Sequence, residues 1–259
     1  MHFPPVPDTD GVTELDTDRW IRRFHRGPAD VPRLVCFPYA GGAANYFFRL
    51  SAALEPDIEL LGVQYPGRQD RLEEPLIDDI AVLAERIAAA LPRWADRPTA
   101  FLGHSMGAIV GYEVARRWEA QGLTVEHLYA SGRRAPSRFR LSTLHERDDA
   151  GFLAGLAEFG ASAVELLAHP ELGPLLLPAV RNDYKAIETY RHVPGAPLSC
   201  PVTALVGDAD PLVTPDEARA WAEETTGPFA LRVFAGGHFY LTDHLRQLTQ
   251  IVRASLLSS

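Results

Sequence analysis

Short runs of apolar residues alternate with longer segments of helical periodicity along most of the chain. The apolar runs predict strands at residues 33–37, 58–63, 100–102, 127–130, 202–206 and 231–234, with a further edge-strand candidate at 20–24. The periodic segments predict helices at residues 44–54, 78–91, 108–121, 215–225 and 242–257. Strands that alternate with helices are typical of βαβ units, so the pattern predicts an α/β fold with a mostly parallel central sheet.

The alternation stops after residue 134 and resumes at residue 202. Between these points the pattern predicts helices only, at residues 148–159, 163–168 and 174–190. We interpret residues 136–190 as an inserted helical lid over the carboxyl edge of the sheet, and residues 19–135 and 191–259 as the core. Residues 1–18 are rich in Pro, Asp and Thr and are expected to form a flexible tail.

A G-x-S-x-G motif lies between the predicted strand at 100–102 and the helix that follows. In this motif, which spans residues 103–107, a strained turn exposes a serine hydroxyl above the sheet. Ser105 is therefore the candidate nucleophile. The motif alone is weak evidence for a nucleophile, because Gly and Ser are common residues and an ordinary turn can have the same sequence.

A serine nucleophile needs a base, and the base needs an orienting acid. His238 directly follows the last predicted strand in a glycine-flanked turn and is the candidate base. His104 is interpreted as a packing residue. For the acid, Asp208 and Asp210 compete in the loop after the strand at 202–206; Pro211 restricts the backbone of Asp210, whereas Asp208 can cap the turn.

The tetrahedral intermediate of such a reaction also needs two N–H donors. Met106, the residue after the nucleophile, supplies one. Ala40, in the glycine-containing loop after an early strand, is the candidate for the other. The sequence contains no metal-ligand cluster, so no metal is expected.

Composition and net charge limit which partners and which compartment are expected for this protein. The hydrophobic content of 46% and the charged content of 23% are ordinary for a globular protein. A net charge of −9 argues against nucleic acid or an anionic membrane as the main partner. Two cysteines, and no apolar stretch long enough to span a membrane, predict a cytoplasmic protein with buried thiols.

Five motifs together resemble the type II thioesterases, which are stand-alone α/β-hydrolases that accompany modular polyketide synthases and nonribosomal peptide synthetases. The motifs are F-P-Y-A-G-G at 37–42, Y-P-G-R at 65–68, G-H-S-M-G at 103–107, G-D-A-D at 207–210 and G-G-H-F at 236–239. They occur in the family's order, although Tyr65 stands where the family usually has Leu. The resemblance implies an α/β-hydrolase fold with a helical lid.

The resemblance also implies roles for the site residues. Ser105 would be the nucleophile, His238 the base and Asp210 the acid, with the Ala40 and Met106 amides as the oxyanion hole. The implied reaction removes aberrant acyl groups from the phosphopantetheine arm of an acyl or peptidyl carrier protein. No cofactor is expected, because the phosphopantetheine belongs to the partner, and we expect a monomer.

Three alternatives remain open. A type I product-releasing thioesterase and a carboxylesterase for small esters use the same triad, and an inactive hydrolase fold would serve as a binding protein. The last should have lost a triad member, and none is missing here.

Two further sets of residues are expected near the site. Docking of an acidic carrier protein on an acidic enzyme needs a local positive patch, for which the candidates are Arg68, Arg71, Arg133, Arg134 and Arg138. The candidates for lining an acyl chamber beneath the lid are Phe139, Phe152, Leu153, Phe159 and Leu166.

Overall fold

A seven-stranded sheet organises the chain. The computed structural model describes residues 19–158 and 164–257. Within these ranges the strands are β1 Ile21–Arg23, β2 Arg33–Phe37, β3 Glu59–Val63, β4 Thr99–His104, β5 Leu128–Ser131, β6 Val202–Gly207 and β7 Phe229–Phe234. They lie in the order β1-β3-β2-β4-β5-β6-β7, and β1 pairs antiparallel with β3 whereas the other neighbours pair in parallel. The predicted α/β fold is confirmed.

Helices cover both faces of the sheet. They are α1 Phe48–Leu54, α2 Ile80–Ala90, α3 Met106–Ala120, α4 Asp149–Glu158, α5 Val164–Leu167, α6 Gly173–Thr189, α7 Pro215–Arg219 and α8 Leu245–Leu256. Along β4, Phe101 points into the apolar core under α2 and α3, and Leu102 into the core under α1 and α8. Burial on both faces explains why the central strands are continuous apolar runs rather than alternating ones.

The predicted helices differ from the observed ones mainly at their ends. The segment 44–54 begins with a 3₁₀ turn, Ala44–Phe47, before α1, and α7 passes into a second 3₁₀ turn, Ala220–Glu224. Such tighter turns are common at helix ends. Asp79 caps α2 by accepting hydrogen bonds from Ala81 N at 2.7 Å and Val82 N at 3.0 Å.

Helices α4, α5 and α6 lie between β5 and β6 in the chain, where only helices were predicted. They share an apolar cluster that includes Leu144, Phe152, Leu167 and Leu177. The inserted segment therefore has a small core of its own beside the sheet. The predicted tail, residues 1–18, lies outside the described residues, and no helix within them is long and apolar enough to cross a membrane.

Two glycines allow α3 to approach the sheet very closely. A Cβ on Gly107 would lie 2.0 Å from the Phe37 carbonyl oxygen at the end of β2. A Cβ on Gly103 would lie 2.1 Å from the Gly107 carbonyl oxygen. Both contacts are to backbone, which cannot rotate away, so the turn between β4 and α3 needs glycine on each side.

We expect Gly107→Ala to lower the free energy of unfolding by about 3 kcal/mol, because α3 and β2 would have to move apart in a packed core. Gly111→Ala, on the same helix, is the matched control. Its Cβ would lie 3.1 Å from the Phe37 ring, a side chain that can shift, and alanine favours a helix over glycine. Urea denaturation of both variants measures the difference. Equal stabilities would contradict this account of the turn.

Candidate active site

Ser105 sits alone in the sharp turn between β4 and α3. Its φ of 55° and ψ of −116° are unfavourable for a residue with a side chain. The Ser105 N–H donates to the Ser131 carbonyl at 2.8 Å, and the Ser105 carbonyl accepts from Ala108 N at 3.0 Å. Ser105 is partly exposed although its neighbours are buried. The turn thus presents the hydroxyl at the carboxyl edge of the sheet and at the N-terminus of α3.

His238 and Asp210 meet in the loops after β7 and β6. His238 Nδ1 lies 2.8 Å from Asp210 Oδ2, and both side chains are buried. The other Asp210 oxygen accepts from Leu212 N at 2.8 Å, which fixes the carboxylate from two sides. A carboxylate on Nδ1 favours the tautomer in which Nδ1 carries the proton and Nε2 is free to accept one.

Asp208 has a different partner. Its Oδ1 accepts from Gly236 N at 2.9 Å, which ties the β6 loop to the β7 loop. Gly207 also packs closely here, since a Cβ on it would lie 2.3 Å from the Gly236 carbonyl oxygen. The structure therefore places Asp210, and not Asp208, against His238, and Asp208 holds the turn.

His104 packs behind His238 and does not face solvent. Its ring centroid lies 5.0 Å from that of His238, and its Nδ1 lies 3.0 Å from Ser131 Oγ. Burial, reinforced by the neighbouring His238, lowers the pKa of His104 well below its ordinary value. A neutral ring thus supports His238 from behind, which agrees with the packing role predicted for His104.

The loop after β2 carries Ala40 and is anchored to the inserted helix α6. Asp183 on α6 accepts from Gly41 N at 2.7 Å and from both ends of the Arg68 guanidinium, at 2.6 and 2.9 Å. Arg68 also donates to the Gly42 carbonyl at 2.9 Å. Met106 begins α3, and the N–H groups of a first helical turn have no acceptor within their helix.

The pair of Arg68 and Asp183 is buried and tightly bound. Burial alone would lower the pKa of Arg68, but the Asp183 carboxylate outweighs this and raises it. Sequence reasoning missed Asp183. A signal was available, since Asp183 lies between Val180 and Ile187 on one helical face, and a carboxylate on an apolar face needs a cationic partner.

Ser105 and His238 line one cavity of about 80 Å³. The core contributes further wall residues from the β2 loop and beside His238, namely Tyr39, Ala40, Gly41 and Phe239, together with Arg133 after β5. The inserted helices close the other side with Leu156, Leu167, Val180, Tyr184 and Ile187. The cavity is mainly apolar and lies directly above the serine.

Four of the five residues predicted to line this cavity do not line it. Phe152 and Leu153 pack within the inserted segment, and Leu166 is 47% exposed. Phe139 is 55% exposed, with the Arg191 guanidinium 4.0 Å from its ring centroid. Phe159 lies outside the described residues. The walls come instead from neighbouring helical positions, because the sequence does not reveal which apolar face of an inserted helix is turned toward the sheet.

Most of the arginines predicted to dock a partner are not available for it. Arg68 is paired with Asp183, Arg71 binds Glu74 and the Gln64 carbonyl, and Arg134 donates to the Arg138 carbonyl. These three are buried, which leaves little of their side chains exposed to a partner. Arg133 lines the cavity, and Arg138 remains exposed beside Glu223. Loop position alone did not reveal that internal carboxylates and carbonyls use these guanidinium groups.

Groups of acidic, histidine and cysteine side chains suited to a metal ion are absent from the part of the chain that the structure describes. Cys36 and Cys200 are both buried as free thiols.

Comparison with known proteins identifies the family. The family model for the thioesterase domain matches residues 32–256. Thioesterase PikA5 of Streptomyces venezuelae is 48% identical over 251 residues, which cover 96% of this chain and 89% of that protein. A probable cadicidin biosynthesis thioesterase of Streptomyces griseus is 47% identical over 249 residues, covering 95% of this chain and 69% of that one.

A solved structure agrees with these relatives. The type II thioesterase BorB from the borrelidin biosynthetic cluster superimposes with a TM-score of 0.87 at 45% identity, covering 92% of this chain and 98% of that one. The strand order, the inserted helices and the serine turn described above are those of an α/β-hydrolase. The chain therefore belongs to the thioesterase family and is a hydrolase that acts on thioesters.

Proposed function

We propose that this protein is a stand-alone editing thioesterase, which hydrolyses acyl groups from the phosphopantetheine arm of acyl or peptidyl carrier proteins. The observation that carries the proposal is the contact of His238 with Asp210 beside Ser105 in one covered cavity. The similarity to a type II thioesterase of a biosynthetic cluster supports the class of substrate.

In the proposed reaction, His238 Nε2 takes the proton of Ser105 Oγ as this oxygen attacks the thioester carbonyl. Asp210 holds the imidazole through Nδ1 and stabilises the imidazolium that forms. The Ala40 and Met106 N–H groups bind the oxyanion, helped by the positive end of α3. The thiol of the arm leaves with the proton from His238, and water then releases the acid by the same steps.

The size of the cavity supports short acyl groups as substrates. A volume of about 80 Å³ is small beside the roughly 300 Å³ or more of pockets for drug-sized ligands. We propose that residues 136–190 act as a lid on the core of residues 19–135 and 191–259, and that the lid moves to admit the arm. In this proposal the Arg68–Asp183 pair holds α6 against the loop that carries Ala40 while the rest of the lid moves.

Several accompanying expectations belong to the same proposal. The enzyme would act as a monomer and without a cofactor of its own, because the thioester is supplied on the partner. We propose a cytoplasmic location, with which two free thiols are compatible. Sedimentation of the purified protein would measure its oligomeric state.

Replacing the nucleophile tests the proposal directly. We expect Ser105→Ala to keep the fold and to lower kcat by about 10⁴-fold or more on an acyl-loaded carrier protein, with residual rate from the oxyanion hole. Ser137→Ala, at an exposed serine, is the control. Release of acyl acid from carrier protein measures the rate. A Ser105→Ala variant that retained half of the wild-type rate would remove Ser105 from the mechanism.

The two aspartates offer a matched pair. Asp210→Asn should lower kcat by roughly 10⁴-fold, because an amide on Nδ1 favours the wrong tautomer. Asp208→Asn should change kcat little and lower the free energy of unfolding by about 1 kcal/mol through its weakened bond to Gly236 N. Steady-state kinetics and urea denaturation of both variants separate the effects. The reverse pattern would assign the acid to Asp208.

Arg138 is the remaining exposed candidate for carrier docking. We expect Arg138→Glu to lower kcat/KM for a carrier-bound acyl group roughly twofold to fivefold at low salt, because rim charges act mainly on association. Small thioesters should be hydrolysed normally. Arg232→Glu, on exposed strand β7, is the control for net charge. Equal losses on carrier-bound and small substrates would exclude a docking role.

A further inference from the structure

Arg133 brings a positive charge to a cavity that is otherwise apolar. It follows β5 at the carboxyl edge of the sheet and shares the cavity with Ser105 and His238. Its backbone is fixed, because the Arg133 carbonyl accepts a hydrogen bond from Trp221 Nε1 at 2.8 Å. The position of the residue is therefore set by the core rather than by the inserted helices.

The Arg133 guanidinium has no internal partner among residues 19–158 and 164–257. Its buried Nε has no hydrogen-bond acceptor, and the side chain makes no ion pair with a described residue. Arg68, Arg71 and Arg134 all have such partners. Buried polar groups are normally satisfied, so one that is left without a partner beside a nucleophile points to a ligand.

The charges around Arg133 do not neutralise it. Burial first, and then the positive charge of Arg134, lowers the pKa of Arg133 to about 9. Glu188 acts in the opposite direction, but its carboxylate already accepts hydrogen bonds from Leu144 N and His145 N, each at 3.0 Å. The guanidinium is still protonated at neutral pH and would gain from an acceptor oxygen.

Tyr184 adds a second polar group on the opposite wall. It lies on α6 and lines the same cavity, and its ring packs edge-on against Phe152 with centroids 5.4 Å apart. Its hydroxyl makes no hydrogen bond to a described residue. Arg133 and Tyr184 thus line the same cavity, Arg133 from the core and Tyr184 from the inserted helix α6.

We propose that Arg133 and Tyr184 select short acyl groups that carry an acceptor oxygen beyond the thioester carbonyl, over aliphatic groups of equal length. A keto, hydroxyl or carboxylate oxygen would accept from the guanidinium fork and the phenol together. The remaining walls, which are mainly apolar, hold the carbon chain. This selectivity rests on the proposed hydrolysis at Ser105 and specifies its substrates.

The test compares small thioesters of one thiol with matched acyl groups: butyryl, 3-hydroxybutyryl, 3-oxobutyryl and malonyl. For the wild type, kcat/KM should be at least about tenfold higher for one or more of the oxygenated groups than for butyryl, as expected for a hydrogen bond to a charged group. Comparison of the 3-hydroxybutyryl and 3-oxobutyryl substrates with the malonyl substrate shows whether the cavity prefers a neutral acceptor oxygen or a carboxylate.

Arg133→Met should remove this preference, because methionine keeps the apolar contacts but has no donor. Tyr184→Phe removes one hydroxyl only and should reduce the preference in part, which keeps the test valid if Arg133→Met does not fold. Arg147→Met, at an exposed arginine of the inserted segment, is the control and should behave as wild type.

The outcomes separate this inference from the proposed function. Equal kcat/KM for all four acyl groups, with hydrolysis that Ser105→Ala abolishes, overturns the selectivity and leaves the thioesterase mechanism intact. A preference that persists in both Arg133→Met and Tyr184→Phe also overturns it. Hydrolysis that survives Ser105→Ala, or no hydrolysis of any thioester by the wild type, overturns the proposed function and the selectivity with it.

Discussion

The strained backbone at Ser105 is the constraint on which the rest of the structure depends. A positive φ at a residue with a side chain persists only where the surroundings hold it. Two elements hold the Ser105 backbone in place. Strand β4 is paired on both sides, and α3 packs closely on β2, with Gly107 against the Phe37 carbonyl. The loop that follows β2, with Ala40, lines the same cavity as Ser105. One local distortion therefore sets the place of the nucleophile and of both proposed oxyanion donors.

The inserted helices are joined to this arrangement through charge rather than through apolar area alone. Asp183 binds Arg68 and Gly41 N at once, so α6 and the Ala40 loop share a single buried carboxylate. Removing one partner of such a pair costs about 3–5 kcal/mol, because the other charge stays buried without compensation. The inserted segment also has a small core of its own, and Ala186 and Ile187 of α6 pack on the main core of the sheet. The inserted segment is thus anchored to the loop that carries Ala40.

Arg68 and Arg133 show that the tertiary structure gives residues of the same type different environments. Arg68 and Arg133 were both expected at a docking surface, yet one is fully bonded inside the protein and the other faces the cavity above Ser105. Their difference lies in the neighbours that the fold supplies, a carboxylate for Arg68 and apolar walls for Arg133. A guanidinium that the protein leaves without an acceptor is available to substrate, and this is the basis of the proposed selectivity.

The sequence by itself determined the order of strands and helices, the serine turn, the helical insertion and the family. These features depend on local periodicity, on glycines at fixed spacing and on motifs in order, all of which are written in neighbouring residues. Local sequence left Asp208 and Asp210 as competing acids, and the family resemblance pointed to Asp210. The packing of the β6 loop against the β7 loop shows how they differ, with Asp210 on His238 and Asp208 on Gly236 N. Only the tertiary structure decided which side chains line the cavity and which arginines are buried. Those outcomes depend on contacts between residues far apart in the sequence, such as the bonded pair Gly41 and Asp183, which are 142 positions apart, and no local pattern encodes such a contact.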